Sequence, residues 1–86
     1  MKFLHYQFNA NLGNRVEVVL RGNAANVMLL DDVNFNNYKI GGQFRYYGGY
    51  YTKSPVFIAV PNSGHWNLVV DLCGAAGHVD ASVRVI

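Results

Sequence analysis

Cys73, His78 and Asp71 are residue types that suit nucleophilic catalysis: an imidazole beside a thiol favours the thiolate, and a carboxylate can orient the ring. Their separation across a glycine-rich stretch is also that of an ordinary hairpin end, and cysteine is among the most often buried residue types. A small hydrolase using this group, or using His65, is therefore the least favoured of three functional readings. His5, His65 and His78 show no HxH, HxxxH or paired CxxC spacing, so only long-range folding could bring them to one metal. No catalytic residue, metal ligand or cofactor is assigned.

A denser pattern is "FRYYGGYYTKSP", residues 44–55. Tyr46, Tyr47, Tyr50 and Tyr51 surround Gly48 and Gly49, with Arg45 and Lys53 on either side. Tyrosine offers a stiff apolar face with a hydroxyl, and a cation can stack on it or hold an anionic group. That combination suits carbohydrate, nucleotide or single-stranded nucleic-acid recognition. The glycines are not a phosphate cradle of the GxxxxGK[ST] kind, and no helix start follows them. Strand alternation gives a plainer reading: Phe44 and Tyr46 point inward, Arg45 and Tyr47 outward, and Tyr50 and Tyr51 divide likewise. On that reading about half the aromatics are core or edge cover. His65, after the "PNSG" turn, is the histidine placed to line a pocket rim.

The elements that must carry these residues are strands. "HVDASVRVI" sets Val79, Ala81, Val83 and Val85 against His78, Asp80, Ser82 and Arg84. "HWNLVVDL" sets Trp66, Leu68, Val70 and Leu72 inward and His65, Asn67 and Asp71 outward, with Val69 breaking the outer row. "VEVVLR" alternates, "NVMLL" and "VFIAV" read as more fully buried strands, and Leu4, Tyr6 and Phe8 form a first strand. Gly, Asn and Pro clusters punctuate these runs. Asp31 or Asp32 caps one helical turn near residues 32–38, carrying Phe35 and Tyr38 and ending near Gly41; three asparagines argue against a longer helix. If the last two strands form a hairpin, opposed aspartates repel, so Asp71 is expected opposite His78, with residues 73–76 as the loop.

Eighty-six residues, 51% hydrophobic and 14% charged, fit one folded domain spanning residues 1–86 and argue against disorder. A net charge of +2 is too small to call for a nucleic-acid or membrane partner. Between Val33 and Val70 there is no Asp or Glu, whereas Lys39, Arg45 and Lys53 fall there, so the middle third presents a weakly positive face. One cysteine excludes an internal disulfide, and neither a signal-peptide run nor a membrane-length apolar stretch is present, so the expected location is cytoplasmic.

"GNAANVMLLDDVNFNNYKIGG", "RYYGGYYTKSPV" and "VPNSGHWNLVVDLCGAAGHVDASVRV" together resemble the Domain of Unknown Function 1883 family over nearly the whole chain. The resemblance implies a small bacterial all-β domain, found alone or joined to a Toll/interleukin-receptor-type domain, for which this length leaves no room. It carries over no catalytic residues. More loosely, "VEVVLRG", "NVMLL" and "GHWNLVVDL" are similar to the rhythm of prepeptidase C-terminal-type jelly-roll sandwiches, which commonly serve as accessory modules.

The expected fold is all-β, an antiparallel β-sandwich of jelly-roll type with about seven strands. Its expected core is Leu4, Tyr6, Val16, Val18, Leu20, Val27, Leu29, Phe44, Val56, Ile58, Val60, Trp66, Leu68, Val70, Val79, Val83 and Val85. The expected function is non-enzymatic binding or sensing of a ligand or protein through Arg45, Tyr46, Tyr47, Tyr50, Tyr51, Lys53 and His65. A structural or homo-oligomerisation module, in which the same tyrosines meet a second copy, is the alternative.

Overall fold

The computed structural model describes residues 3–72 and 77–86. Seven strands and one helix follow in order: β1 (Phe3–Ala10), β2 (Arg15–Gly22), β3 (Ala25–Leu30), α1 (Asp32–Lys39), β4 (Tyr47–Tyr51), β5 (Val56–Ala59), β6 (Gly64–Asp71) and β7 (Val79–Val85). They form a four-stranded sheet, β1-β6-β3-β4, and a three-stranded sheet, β5-β2-β7. Every pairing is antiparallel, and β1 with β6, β2 with β5 and β3 with β4 make a nested set.

Alternation decides what lies between the sheets. Val27 and Leu29 of β3, Leu68 and Val70 of β6, and Val16 and Val18 of β2 are fully buried there, joined by Val56, Ile58, Val60 and Trp66. Leu4, Tyr6, Leu20, Val79, Val83 and Val85 pack against the same core but are only partly covered. Those on β1 and β7 belong to edge strands, where one flank lacks a neighbour. Across the two sheets the Tyr6 hydroxyl donates to the Ala81 carbonyl at 2.9 Å.

The outer face of the larger sheet is also covered, which explains why Val69 interrupts an otherwise polar row. Met28, Leu30 and Val69 point away from the main core and pack under Phe35 and Tyr38 of α1, with Phe3 and Phe44 at the margin. Phe44 therefore belongs to this second cluster and not to the space between the sheets. It precedes β4 in non-strand chain, so alternation does not govern its direction.

Helix α1 runs eight residues, longer than the single turn expected. Asp31 is its cap, accepting the Asn34 N–H at 2.8 Å, while Asp32 in the first turn and Lys39 in the last suit the helix dipole. Burial of Phe35 and Tyr38 outweighs the weak helix preference of the asparagines. Gly41, at φ +79°, leads the chain out.

The expected β6–β7 hairpin does not form. Strand β6 already has β1 and β3 on its two sides, leaving no edge for β7, which crosses to the other sheet beside β2. Asp71 lies opposite Phe3 and Asn26 and not opposite His78. The predicted loop at residues 73–76, with Cys73, lies outside the described residues.

Because Val69 is buried on the outer side, truncating it should hurt nearly as much as truncating an inner valine. Val69→Ala and Val70→Ala are each expected to cost roughly 2 kcal/mol in urea unfolding. A Val69→Ala loss below about 0.5 kcal/mol, the usual scatter for surface positions, would show that α1 does not cover this face.

Candidate functional site

Strand β4 is held in place by one glycine. Gly48 has φ +136°, and a Cβ there would stand 2.0 Å from the Val27 carbonyl oxygen, so only glycine lets β4 close on β3. Tyr47 then lies opposite Leu29, Gly49 opposite Val27 and Tyr51 opposite Ala25, while Tyr50 lies opposite Asn26. The tyrosines divide between two sides of this edge strand. Tyr47 meets Trp66 edge-on at 6.2 Å, and Tyr51 packs against the main core. Tyr46 lies beside Phe44 at 5.8 Å, next to the helix-side cluster. This reverses the sides that alternation counted from Phe44 gives to Tyr46 and Tyr47, because the strand begins only at Tyr47. Three rings remain largely open to solvent: Tyr46 at 46%, Tyr47 at 50% and Tyr50 at 64%.

Beside them the chain from α1 to β4 forms an open cleft of about 620 Å³ lined by Asn34, Gly42, Gln43, Phe44 and Arg45. Two bonds shape it. The Arg45 N–H donates to Asn34 Oδ1 at 2.7 Å, and the Gly42 N–H to the Asn37 carbonyl at 2.8 Å. Arg45 and Lys53 are exposed, and among the described residues neither forms an ion pair. The structure thus gathers Arg45, Tyr46, Tyr47 and Tyr50 at one edge, with Lys53 in the bend that follows, and turns Tyr51 toward the core.

His65 is engaged elsewhere. Its Nδ1–H donates to Asp32 Oδ1 at 2.8 Å, at the start of α1. The same carboxylate oxygen accepts from Asn67 Nδ2 at 2.9 Å, and Asn67 also donates to the Leu30 carbonyl at 3.3 Å. With both amide hydrogens committed to acceptors, Asn67 Oδ1 must accept, so His5 presents Nε2–H to it at 2.8 Å. The His5 ring stacks on Phe35 at 4.0 Å. Further along β6, Asp71 accepts from the Tyr38 hydroxyl at 2.5 Å and from Asn26 Nδ2 at 3.2 Å. Asn67 is 1% exposed and Asp71 4%, although both sit in the row expected to face water. They tie α1 to β6 at each end. Nothing in the linear sequence marks these partners except Val69, an apolar residue in an outward row.

A second cleft, of about 510 Å³, opens near the ends of β1 and β6 and the start of β7, with Asp71, His78 and Asp80 among its lining residues. The His78 ring lies 3.2 Å from Asp80 Oδ2, and Asp71 is occupied by Tyr38 and Asn26. Among the described residues no group of three or more His, Cys, Asp or Glu is arranged to hold a metal ion, and no helix is long and apolar enough to cross a membrane.

Taken together, these features define a small, mostly β domain of two packed sheets with an aromatic edge strand. The chain belongs to the family described as Domain of unknown function (DUF1883), whose model matches residues 1–86. No curated protein and no solved structure matches it significantly.

The bond from Asn67, and next the bond from His65, hold the Asp32 carboxyl below its ordinary value of 3.8. A depressed carboxyl pKa stabilises the fold fully above that ordinary value, and the contribution disappears as pH falls through the folded value. Carboxyl-detected NMR titration should therefore find Asp32 below 3.8 in the wild type. Removing His65 (His65→Ala) should raise it only part of the way, since Asn67 is the larger cause. An unshifted wild-type carboxyl would contradict the network.

Proposed function

We propose that this protein is a non-enzymatic binding or sensing module whose contact surface is the β4 edge with Arg45, Tyr46, Tyr47, Tyr50 and Lys53. The observation that carries this reading is the open aromatic surface of Tyr46, Tyr47 and Tyr50 beside cations that have no ion-pair partner among the described residues. The three exposed rings follow one another along a short edge, with Tyr47 on one side of the strand and Tyr50 on the other, and large apolar area concentrated at one margin is what marks contact sites. Rings supply area and stacking; the guanidinium and ammonium orient an anionic or polar group. Tyr51 contributes by fixing the strand, and His65 by fixing the helix start, so neither belongs to the contact surface.

The scaffold is read as a jelly roll. In that topology a long hairpin of nested antiparallel pairs folds over itself. The pairing of β1 with β6, β2 with β5 and β3 with β4 supports it, with α1 at the tip of the hairpin and β7 added beside β2.

A ¹⁵N NMR screen with saccharides, nucleotides, short oligonucleotides and tripeptides tests the surface. Compounds that bind are expected to shift amides within residues 44–53, and Arg45→Ala or Tyr50→Ala to weaken them by about tenfold, near 1.4 kcal/mol. Responses confined to other residues would discard this surface. Light scattering across a concentration series should return a monomer; a stable dimer dissociated by Tyr50→Ala would replace binding with homo-oligomerisation.

A further inference from the structure

We propose that β4 accepts an extended acidic peptide, which adds to the four-stranded sheet as a fifth strand. This rests on the binding reading above and names the class of its partner. Strand β4 ends the sheet order, so alternate backbone N–H and C=O groups along its free side have no strand beside them. Edge strands are commonly protected by proline or by charged side chains. The five residues of β4, Tyr-Gly-Gly-Tyr-Tyr, contain neither.

Gly49 supplies a separate indication. Gly48 is required by the fold, but Gly49 is not: its φ is not in the left-handed region, and a Cβ built on it meets nothing within 4 Å. Glycine weakens a strand, and its presence there without a structural need marks a place of close approach. By alternation Gly49 shares a side with Tyr47 and Tyr51, so the open space lies between two rings and can take one side chain of an added strand.

Charge selects the kind of strand. Arg45 lies two residues before β4 and Lys53 two residues after it, and no Asp or Glu occurs between Val33 and Val70. A complementary segment therefore spans about nine residues at strand spacing, with carboxylates near both ends and a paired middle free of proline. A second copy fits poorly. In the antiparallel self-pairing that overlaps all of β4, centred on Gly49, Arg45 of each chain faces Lys53 of the other, and like charges directly opposed are destabilising.

Selection of phage-displayed random peptides of about nine residues against the purified protein tests this, followed by NMR mapping of the enriched sequences. Enriched peptides are expected to carry Asp or Glu near both ends, to lack central proline, and to perturb and protect amides of Tyr47–Tyr51. The double reversal Arg45→Glu with Lys53→Glu should weaken the selected peptides about tenfold or more and favour lysine-flanked versions of the same peptides. Gly49→Val should also weaken them about tenfold without lowering the thermal midpoint, since valine favours a strand more than glycine does, and without changing the amide spectrum outside β4. Enriched neutral or basic peptides that still perturb Tyr47–Tyr51 would overturn the acidic partner and leave the contact surface standing. Peptides mapping away from residues 44–53 would overturn both. No enrichment would overturn the peptide partner alone.

Discussion

From Trp66 to Asp71 strand β6 is enclosed on all sides, and the rest of the architecture depends on that. It lies between β1 and β3 in the sheet, with the second sheet below it and α1 above. A strand in this position can keep a polar side chain only by giving it a partner, since an unsatisfied buried group costs about 1–3 kcal/mol. Asn67 and Asp71 meet that requirement through Asp32 and Tyr38, on the first and second turns of α1. Two polar positions on one strand therefore set where the helix lies, and no described buried side-chain polar atom lacks a partner.

The helix in turn sets the approach to β4. Asn34, whose side chain also bonds the capping Asp31, accepts the Arg45 N–H and so fixes the chain just before the tyrosines. Gly48 then lets the strand close on β3. The exposed aromatic edge is thus downstream of polar contacts made in the interior of the sheet. Its geometry depends in part on Asn67, Asp71 and Asp32, whose contacts lie between α1 and β6 and not at the β4 edge.

Period-two alternation made the strands and most of the inner core legible, because a sheet face that meets another sheet selects apolar residues at every second position. Capping chemistry offered Asp31 or Asp32 as the helix start, of which Asp31 is the cap, and i, i+3 spacing picked out Phe35 and Tyr38 as the buried residues of α1. What alternation does not carry is which strands become neighbours. The hairpin expected of β6 and β7 rested on sequence adjacency, whereas the folded chain places them in different sheets. Likewise Asn67 and Asp71 read as solvent-facing because their side of the strand looked polar, and only Val69 hinted at cover. Of the expected contact residues, Arg45, Tyr46, Tyr47, Tyr50, Lys53 and His65 are exposed, but His65 is also bonded to Asp32, and Tyr51 is drawn onto the main core; both contacts depend on distant parts of the chain.

The two flanks of the layered sheets are closed differently. On one side the backbone itself runs from β4 to β5 through four residues, a covalent seam between the layers. On the other, β1 and β7 meet through the Tyr6 hydroxyl and half-covered aliphatic side chains. Elsewhere the chain also crosses between the layers, through residues 11–14, 23–24 and 60–63, so the sheets are stitched together at several places. The β4–β5 link differs in joining one edge strand directly to another, which ties the tyrosine-bearing margin of the larger sheet to the margin of the smaller one.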